Sequence, residues 1–407
     1  MGNAIFTKDA SANWNRVRNV RWHDTTQFNR ADAVFWDQLW GLIGTATYTN
    51  RDSGSNLLHP QIAVEGTKIY YAWLEVMFWD ALHASWQLWT ASMNTDGTGW
   101  TAVQRTIELE HGEDLEYMNM ISVPGDKLYF VWNSSLAGAR EQLWTGSLTF
   151  DLVTWNATQR TADALTYYYY PRLCSDGTNV YYVWMQSNNL ATWVLGTGKL
   201  VIATDTFTKT TQATTEIIYW PQIAVNDGVL YYCYISIDTI PPATDSFWTA
   251  TMNIDGTGFA ESERLYSTTM ATKINPYIGI NDNTVYYMFH NSGQILVMNK
   301  YVIGGDFSYT YYASPNAVVY VQFQVFQNWI YFIGAIGSSY LYLSLCNKDD
   351  TERIYETNQG IISLYNALYV TDDYVYTVNM YVGAWDIYTG KVSSEITPIY
   401  KWNRVNI

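Results

Sequence analysis

The segment HPQIAVEGTKIYYAWLE, beginning at His59, returns as WPQIAVNDGVLYYCYIS beginning at Trp220. The same pattern of apolar strand, short polar turn and aromatic-led second strand recurs in MISVPGDKLYF, RLCSDGTNVYY, YIGINDNTVYY, QFQVFQNWIYF and ALYVTDDYVYT. Each copy places a tyrosine just past the turn: Tyr70, Tyr129, Tyr181, Tyr231, Tyr286, Tyr331 and Tyr376. Successive tyrosines are 45 to 59 residues apart. Periods of this size belong to architectures in which one unit cannot bury its apolar surface alone and must stack on a neighbour.

Further strand-like runs follow several copies. WQLWTASMN, EQLWTGSLTF and SFWTATMN read as third strands, and the turns NTDGTGW and NIDGTGF lead into fourth strands such as TAVQRTIEL. Asp-Gly and Asn-Asp pairs supply the positive φ that short hairpins require. Helical periodicity is absent. Four antiparallel strands per unit predict an all-β fold, a seven-bladed β-propeller, with the repeated tyrosines filling the space between blades and their hydroxyls bonded to turns. Residues 56–407 then hold the seven repeats, and residues 1–55 form an N-terminal segment. Within it, FWDQLWGLIGTATYTN resembles a third-strand segment and supplies a strand that closes the ring, removing exposed sheet edges. The alternative is an eighth blade.

Composition narrows the partners. The chain is rich in Tyr (35) and Trp (19), which suit a half-buried pleated surface, and only 14% of it is charged. A net charge of −15 without Lys/Arg clusters argues against nucleic acid and against anionic membranes. Cys174, Cys233 and Cys346 are scattered and odd in number, which predicts neither a disulfide framework nor a CxxC metal site. The start MGNAIFTKDASANWNRV shows no secretion signal, Phe6 breaks a myristoylation motif, and no apolar run reaches the length of a membrane span.

The DGTGW and DGTGF turns, Asp96 to Trp100 and Asp255 to Phe259, loosely resemble the Asp-box turns of sialidase-type propellers, with glycines and aromatic at different offsets. That resemblance covers the blade plan and implies, for an enzyme, an arginine cluster, a Tyr/Glu pair and an acidic Asp. YPRL, Tyr170 to Leu173, resembles the arginine motif, but the corresponding first-strand positions elsewhere are Gln61, Met120, Gln222, Tyr277, Gln322 and Ala367. Arg105 and Arg160 recur in VQRT and TQRT on fourth strands, where a structural role is expected. A two-carboxylate glycosidase needs facing acids, and the first strands supply none. Glu75, Asp80 and the run Glu108 to Glu116 place carboxylates near or on the connections between strands. That run reads as a solvated acidic loop, with calcium as the alternative, although its spacing is not that of an EF-hand. The five histidines lack zinc spacing, and no other cofactor is indicated. Nothing in the sequence requires catalysis.

The positions just before the first strands read His59, Met118, Tyr170, Trp220, Asn275, Tyr320 and Tyr365. In a propeller they converge at the mouth of the axis, with Gln61, Arg172, Gln222 and Gln322 slightly deeper. Aromatic faces beside amide and guanidinium donors suit sugars. The connection LEVMFWDALHASW adds Phe78 and Trp79 as a lid or interaction patch, while YYYY at Tyr167 to Tyr170 leads into the third blade. The leading expectation is a non-enzymatic, lectin-like module that recognises a glycan or a protein at a cell or virion surface. The aromatic-rich, lysine-poor composition resembles extracellular adhesive and viral structural proteins. A glycan-active hydrolase and a self-associating structural subunit are the alternatives.

Overall fold

The computed structural model describes residues 3–8, 14–20, 47–52, 57–78, 84–105, 114–135, 140–189, 192–214, 217–237, 245–267, 276–290, 296–305, 307–312, 318–327, 329–336, 340–347, 354–358, 363–381 and 387–393. The chain is an all-β propeller of four-stranded antiparallel blades. It opens with a hairpin of β1 (Asn3–Lys8) and β2 (Trp14–Val20), followed by β3 (Thr47–Asp52).

Six blades each use four strands consecutive in the chain. The first comprises β4 (Leu57–Glu65), β5 (Lys68–Phe78), β6 (Ala84–Asn94) and β7 (Thr101–Gln104). The second comprises β8 (Asp114–Val123), β9 (Lys127–Ser135), β10 (Gln142–Leu148) and β11 (Trp155–Gln159). Then come β12 (Tyr167–Ser175), β13 (Asn179–Ser187), β14 (Val194–Val201) and β15 (Thr206–Thr211). The fourth blade holds β16 (Ile218–Asn226), β17 (Val229–Ile237), β18 (Asp245–Asn253) and β19 (Ala260–Ser267). The fifth holds β20 (Tyr277–Asn281), β21 (Thr284–His290), β22 (Leu296–Val302) and β23 (Phe307–Tyr312). The sixth holds β24 (Val318–Phe326), β25 (Trp329–Ile336), β26 (Tyr340–Asn347) and β27 (Ile354–Asn358).

Thus six repeats, not seven, supply a complete blade from their own stretch of chain. The remaining sheet is composite: β28 (Ser363–Val370), β29 (Tyr374–Tyr381) and β30 (Ile387–Ser393) take β3 as their fourth strand, with Thr49 opposite Thr389. Of the proposed closing segment, only its end, from Thr47, falls among the described residues. They contain no further four-stranded sheet that would make an eighth blade.

The second strands explain why the sheets must stack. Residues Val180 to Met185 of β13 are all buried, so both faces of the strand are covered. The same holds for Ile69 to Leu74 in β5 and Leu230 to Ile235 in β17. A strand apolar on both faces reads as a continuous run rather than an alternation. All seven repeated tyrosines sit on second strands and all are at most 4% exposed. Each lies opposite an equivalent first-strand residue, such as Ala63 for Tyr70, Ala224 for Tyr231 and Tyr369 for Tyr376. The Tyr70 hydroxyl donates to the Phe150 carbonyl of the next blade at 3.0 Å, and those of Tyr129 and Tyr181 donate to Asp126 and Asp176 in their own turns. The thiols of Cys174 and Cys233 are free.

A second repeated device lies on the outer strands. Arg105 Nε donates to Thr90 Oγ1 at 2.6 Å, Arg160 Nε to Thr145 Oγ1 at 2.6 Å, and Arg264 Nε to Thr249 Oγ1 at 2.8 Å. The other side of each guanidinium reaches the following blade. Arg105 bonds the Leu152 carbonyl, Arg160 pairs with Asp205 and covers the Phe207 ring, and Arg264 covers Phe307. In the third blade Gln212 takes the place, bonding Thr197 Oγ1 at 2.9 Å. Arg51 of β3 does the same across the chain ends: its Nε bonds Thr389, its Nη2 bonds the Gly97 carbonyl, and it covers Trp100. The recurrent arginines are structural.

Where the first, second and fourth blades stack an aromatic on the central pair of strands (Trp73 on Trp89, Trp132 on Trp144, Tyr234 on Trp248), the third sets Trp184 opposite Gly196. A Cβ at Gly196 would overlap the Trp184 indole, whereas one at Gly305 would meet only ordinary contacts. Gly196→Ala should therefore cost about 1–3 kcal/mol through overpacking, read as a lower urea midpoint at unchanged slope, while Gly305→Ala leaves the midpoint within experimental scatter.

Candidate ligand-binding face

In a four-stranded antiparallel blade, the start of the first strand and the connection between strands two and three lie on one side. The two outer hairpins lie on the other. On the first side the register irregularity of five first strands falls at the same place. The pairing skips between Leu58 and Gln61, Glu116 and Asn119, Tyr169 and Arg172, Tyr219 and Gln222, and Val319 and Gln322. Two residues there oppose one on the partner strand, a β-bulge. Proline follows His59, Tyr170 and Trp220, and a residue without an N–H is tolerated where the ladder is interrupted.

The bulges set four aromatic residues in left-handed backbone. The φ angles are 53° at His59, 51° at Tyr117, 51° at Tyr170 and 50° at Trp220. The rings form a continuous arc over four consecutive blades. His59 lies 5.5 Å from Tyr117, Tyr117 lies 3.9 Å from Tyr170, and Tyr170 meets Trp220 edge-on at 6.1 Å. The Tyr117 hydroxyl donates to that of Tyr170 at 3.0 Å. All four rings are half-buried.

This corrects the sequence alignment at one position. The second-blade member is Tyr117; Met118 is buried in the core shared by the first two blades. The turn between β8 and β9 has three residues where that between β4 and β5 has two, so counting back from the tyrosine column slips by one. Its first-strand equivalent is accordingly Asn119, not Met120.

One residue past each bulge runs a polar row: Gln61, Asn119, Arg172 and Gln222, each in the same register of its blade. Asn119 Nδ2 donates to Gln61 Oε1 at 2.9 Å, and Asn119 Oδ1 accepts from Leu173 N at 3.4 Å. Gln61 and Arg172 fold back to donate to the bulge carbonyls of Pro60 and Pro171. Gln222 is 8% exposed and its amide makes no hydrogen bond among the described residues. Burial lowers the Arg172 pKa, and the Tyr277, Tyr170 and Tyr117 hydroxyls act against that shift. Burial, and secondarily the Arg172 charge, lowers His59 to about 4. The imidazole is therefore neutral at pH 7.

Other anticipated residues lie elsewhere. Tyr320 sits in the β24 bulge and Gln322 one step past it. Tyr365 stands opposite Met380, one residue beyond a bulge displaced relative to the others. Phe78 ends β5. Trp79, Asp80, Asn275 and residues 106–113 of the acidic run are outside the described residues. Among those described, no cluster of three or more His, Cys, Asp or Glu could hold a metal. The Asp-box-like turns face the opposite side and satisfy themselves: Asp96 Oδ1 accepts from Thr98 N and Oγ1, as Asp255 does from Thr257. On that side a hollow of ≈ 240 Å³ lined by Lys68, Asn94, Thr101 and Asp151 separates the first two blades.

No protein-family profile and no curated protein matches the sequence. Among solved structures, polysaccharide lyase Uly1 is similar with a TM-score of 0.57 at 11% identity, over 82% of this chain and 89% of that one. The β-propeller domain of the Trilobed protease from Pyrococcus furiosus is similar with a TM-score of 0.50 at 10% identity, over 86% and 94%. The endosialidase of phage phi92 has a TM-score of 0.49 at 12% identity, over 86% and 69%. The likeness to sialidase-type and other propellers is one of fold, and it singles out no family.

His59 makes the face acid-sensitive. Its pKa lies below the unfolded value of about 6.5, so the unfolded chain takes up the proton first. The stability held above pH 6.5 is then lost as pH falls toward 4. His59→Gln should flatten that part of the stability–pH curve in urea titrations between pH 7 and pH 4.

Proposed function

We propose that the aromatic arc is a glycan-recognition surface and that the protein is a non-enzymatic, lectin-like module. In this reading residues 56–407 hold the seven repeats and β3, from the first 55 residues, closes a seven-bladed ring. The observation that carries the functional reading is the backbone at His59, Tyr117, Tyr170 and Trp220. Left-handed φ costs an L-residue with a bulky side chain roughly 1–2 kcal/mol, and Gly or Asn would relieve it. Strain repeated at four equivalent positions, each bearing a ring at the mouth of the axis, is characteristic of binding and catalytic sites. Rings beside amides are the chemistry that grips a pyranose: apolar C–H faces against the π-systems, hydroxyls to neutral donors and acceptors.

Binding is favoured over hydrolysis by the content of the inner row. Its members Gln61, Asn119, Arg172, Gln222, Tyr277, Gln322 and Ala367 include no carboxylate, while glycoside hydrolysis uses two facing one another across the bond. The chain is similar in fold to a polysaccharide lyase.

The test is a broad glycan array with released sugars monitored in the same samples. Binding without turnover is expected. Turnover would replace the binding module with a hydrolase, and silence on both would overturn the glycan reading in favour of protein partners or self-assembly. Trp220→Ala keeps the same backbone demand while deleting a ring. It should weaken binding about 10-fold or more, as loss of a central aromatic anchor does, with the melting temperature as a control for folding.

A further inference from the structure

The junctions between blades are crossed in different ways, and one is left open. In the third blade Lys199 stands opposite the repeated Tyr181, covers its ring at 5.8 Å, and donates to the Ile254 carbonyl in the outer turn of the next blade at 3.3 Å. Lys391 of the composite sheet stands opposite Tyr376, covers that ring at 5.8 Å, and donates to the Thr95 carbonyl of the first blade at 2.6 Å. Each ammonium lies within electrostatic reach of the carboxylate in the turn it meets, Asp255 or Asp96. In the second blade the register holds Ser147, and the Arg160–Asp205 ion pair crosses instead. In the first blade the register, opposite Tyr70, holds Ser92. There Phe150 covers the tyrosine ring, Arg105 is spent on the Leu152 carbonyl, and no ion pair reaches Asp151 among the described residues. A serine is too short to span the gap, and the hollow of ≈ 240 Å³ lies beside it.

Ser92 is only 7% exposed, and it shares with Tyr70 the face turned to the second blade. Its hydroxyl makes no hydrogen bond among the described residues. A buried hydroxyl needs a partner, and this one is left to whatever occupies the hollow. The walls carry one charge of each sign. The Thr149 hydroxyl and the Val153 N–H, and more weakly the Lys68 ammonium, hold the Asp151 carboxyl below the usual carboxylate range, so it is ionised at neutral pH. Both hydrogen bonds go to Oδ1 and leave Oδ2 open. Lys68 lines the first-blade wall and forms no ion pair with Asp151. Val103 and Leu152 supply the apolar part of the lining.

We propose that this hollow binds a small zwitterion, a free α-amino acid with a short side chain. Its ammonium takes the part that Lys199 and Lys391 play at their junctions, bonded to Asp151 Oδ2 and the Ser92 hydroxyl. Its carboxylate faces the Lys68 ammonium, and its side chain lies on Val103 and Leu152. The size fits, since the volume is below the roughly 300–1,000 Å³ of pockets for drug-sized ligands. An amine or an acid alone leaves one wall unmatched, whereas a zwitterion makes charge-assisted hydrogen bonds to both. The site lies on the side opposite the aromatic arc and is independent of the glycan reading.

The experiment is calorimetric titration of the full chain, in a buffer free of amines and carboxylates, with glycine, L-alanine, L-serine, methylammonium and acetate. At least one amino acid should bind about 10-fold more tightly than either half-ligand, the increment of one further charge-assisted hydrogen bond. Salt should shrink that advantage, because both charged groups face solvent. Ser92→Lys refills the hollow with the side chain that the third blade already uses there. It should abolish binding and leave the melting temperature unchanged or raised. Lys68→Gln should bring the amino acid down to the affinity of methylammonium. Binding of none of the amino acids would overturn the site, as would amino acids held no better than methylammonium or acetate. Undiminished binding in a folded Ser92→Lys chain would overturn it too. The comparison of ligands needs no variant, so it decides even where Ser92→Lys prevents folding.

Discussion

A β-strand buried on both faces cannot lie at the surface of anything. That constraint acts on the second strands, where five or more consecutive residues, such as Ile69 to Leu74 or Val180 to Met185, are withdrawn from water. The described residues form no helix, so it is neighbouring sheets that cover these faces. The core clusters follow this rule. One joins Tyr70 and Leu74 to Phe130 and Trp132, another Tyr129 and Val131 to Tyr182 and Trp184, and so on around the molecule. The apolar burial supplies the cohesion, and the repeated tyrosine adds direction by sending its hydroxyl to a turn.

Burial alone does not set the angle between blades, and the outer arginines act there. Each is bonded at Nε to a threonine of its own blade and turns its face to an aromatic or carbonyl of the next. The fixed geometry of a guanidinium then ties two sheets at one distance. The arrangement at the chain ends is the same device assembled from remote segments. Arg51 comes from β3, its threonine from β30, and its ring, Trp100, from the first blade. The cluster that joins Leu57, Ile62 and Trp73 to Ala367, Tyr376 and Val378 lies beneath it. The first and last repeats are thus held by the interactions that hold neighbours elsewhere.

Much of this was legible in the chain itself. The tyrosine column could be read because turn length and strand length barely vary, and a period survives when nothing interrupts it. The axial residues were harder. One extra residue in the turn Pro124–Asp126 moved the second-blade ring from Met118 to Tyr117, and a β-bulge leaves no mark on a count made from one side. The arc joins His59, Tyr117, Tyr170 and Trp220, while Tyr365 stands in a register of its own. The arginine latch was visible only as the recurrence of VQRT and TQRT. Its partner threonine lies 15 residues back on another strand, and in the third blade glutamine does the same work, so residue identity alone does not announce it.

The position of the arc bears on how it would recognise a ligand. Its rings are not carried on the long connections that differ between repeats but on the innermost strands, at bulges fixed by two flanking stretches of ladder. Each ring is further held by the next, through contacts of 3.9 to 6.1 Å and the hydroxyl bond between Tyr117 and Tyr170. Ordering such side chains costs little at the moment of binding, since the cost was met when the protein folded. The strained backbone belongs to the same economy: the surrounding ladder overdetermines the bulge, and the aromatic side chain is kept where glycine would fold more easily. A surface built in this way trades stability for a rigid, ring-lined arc.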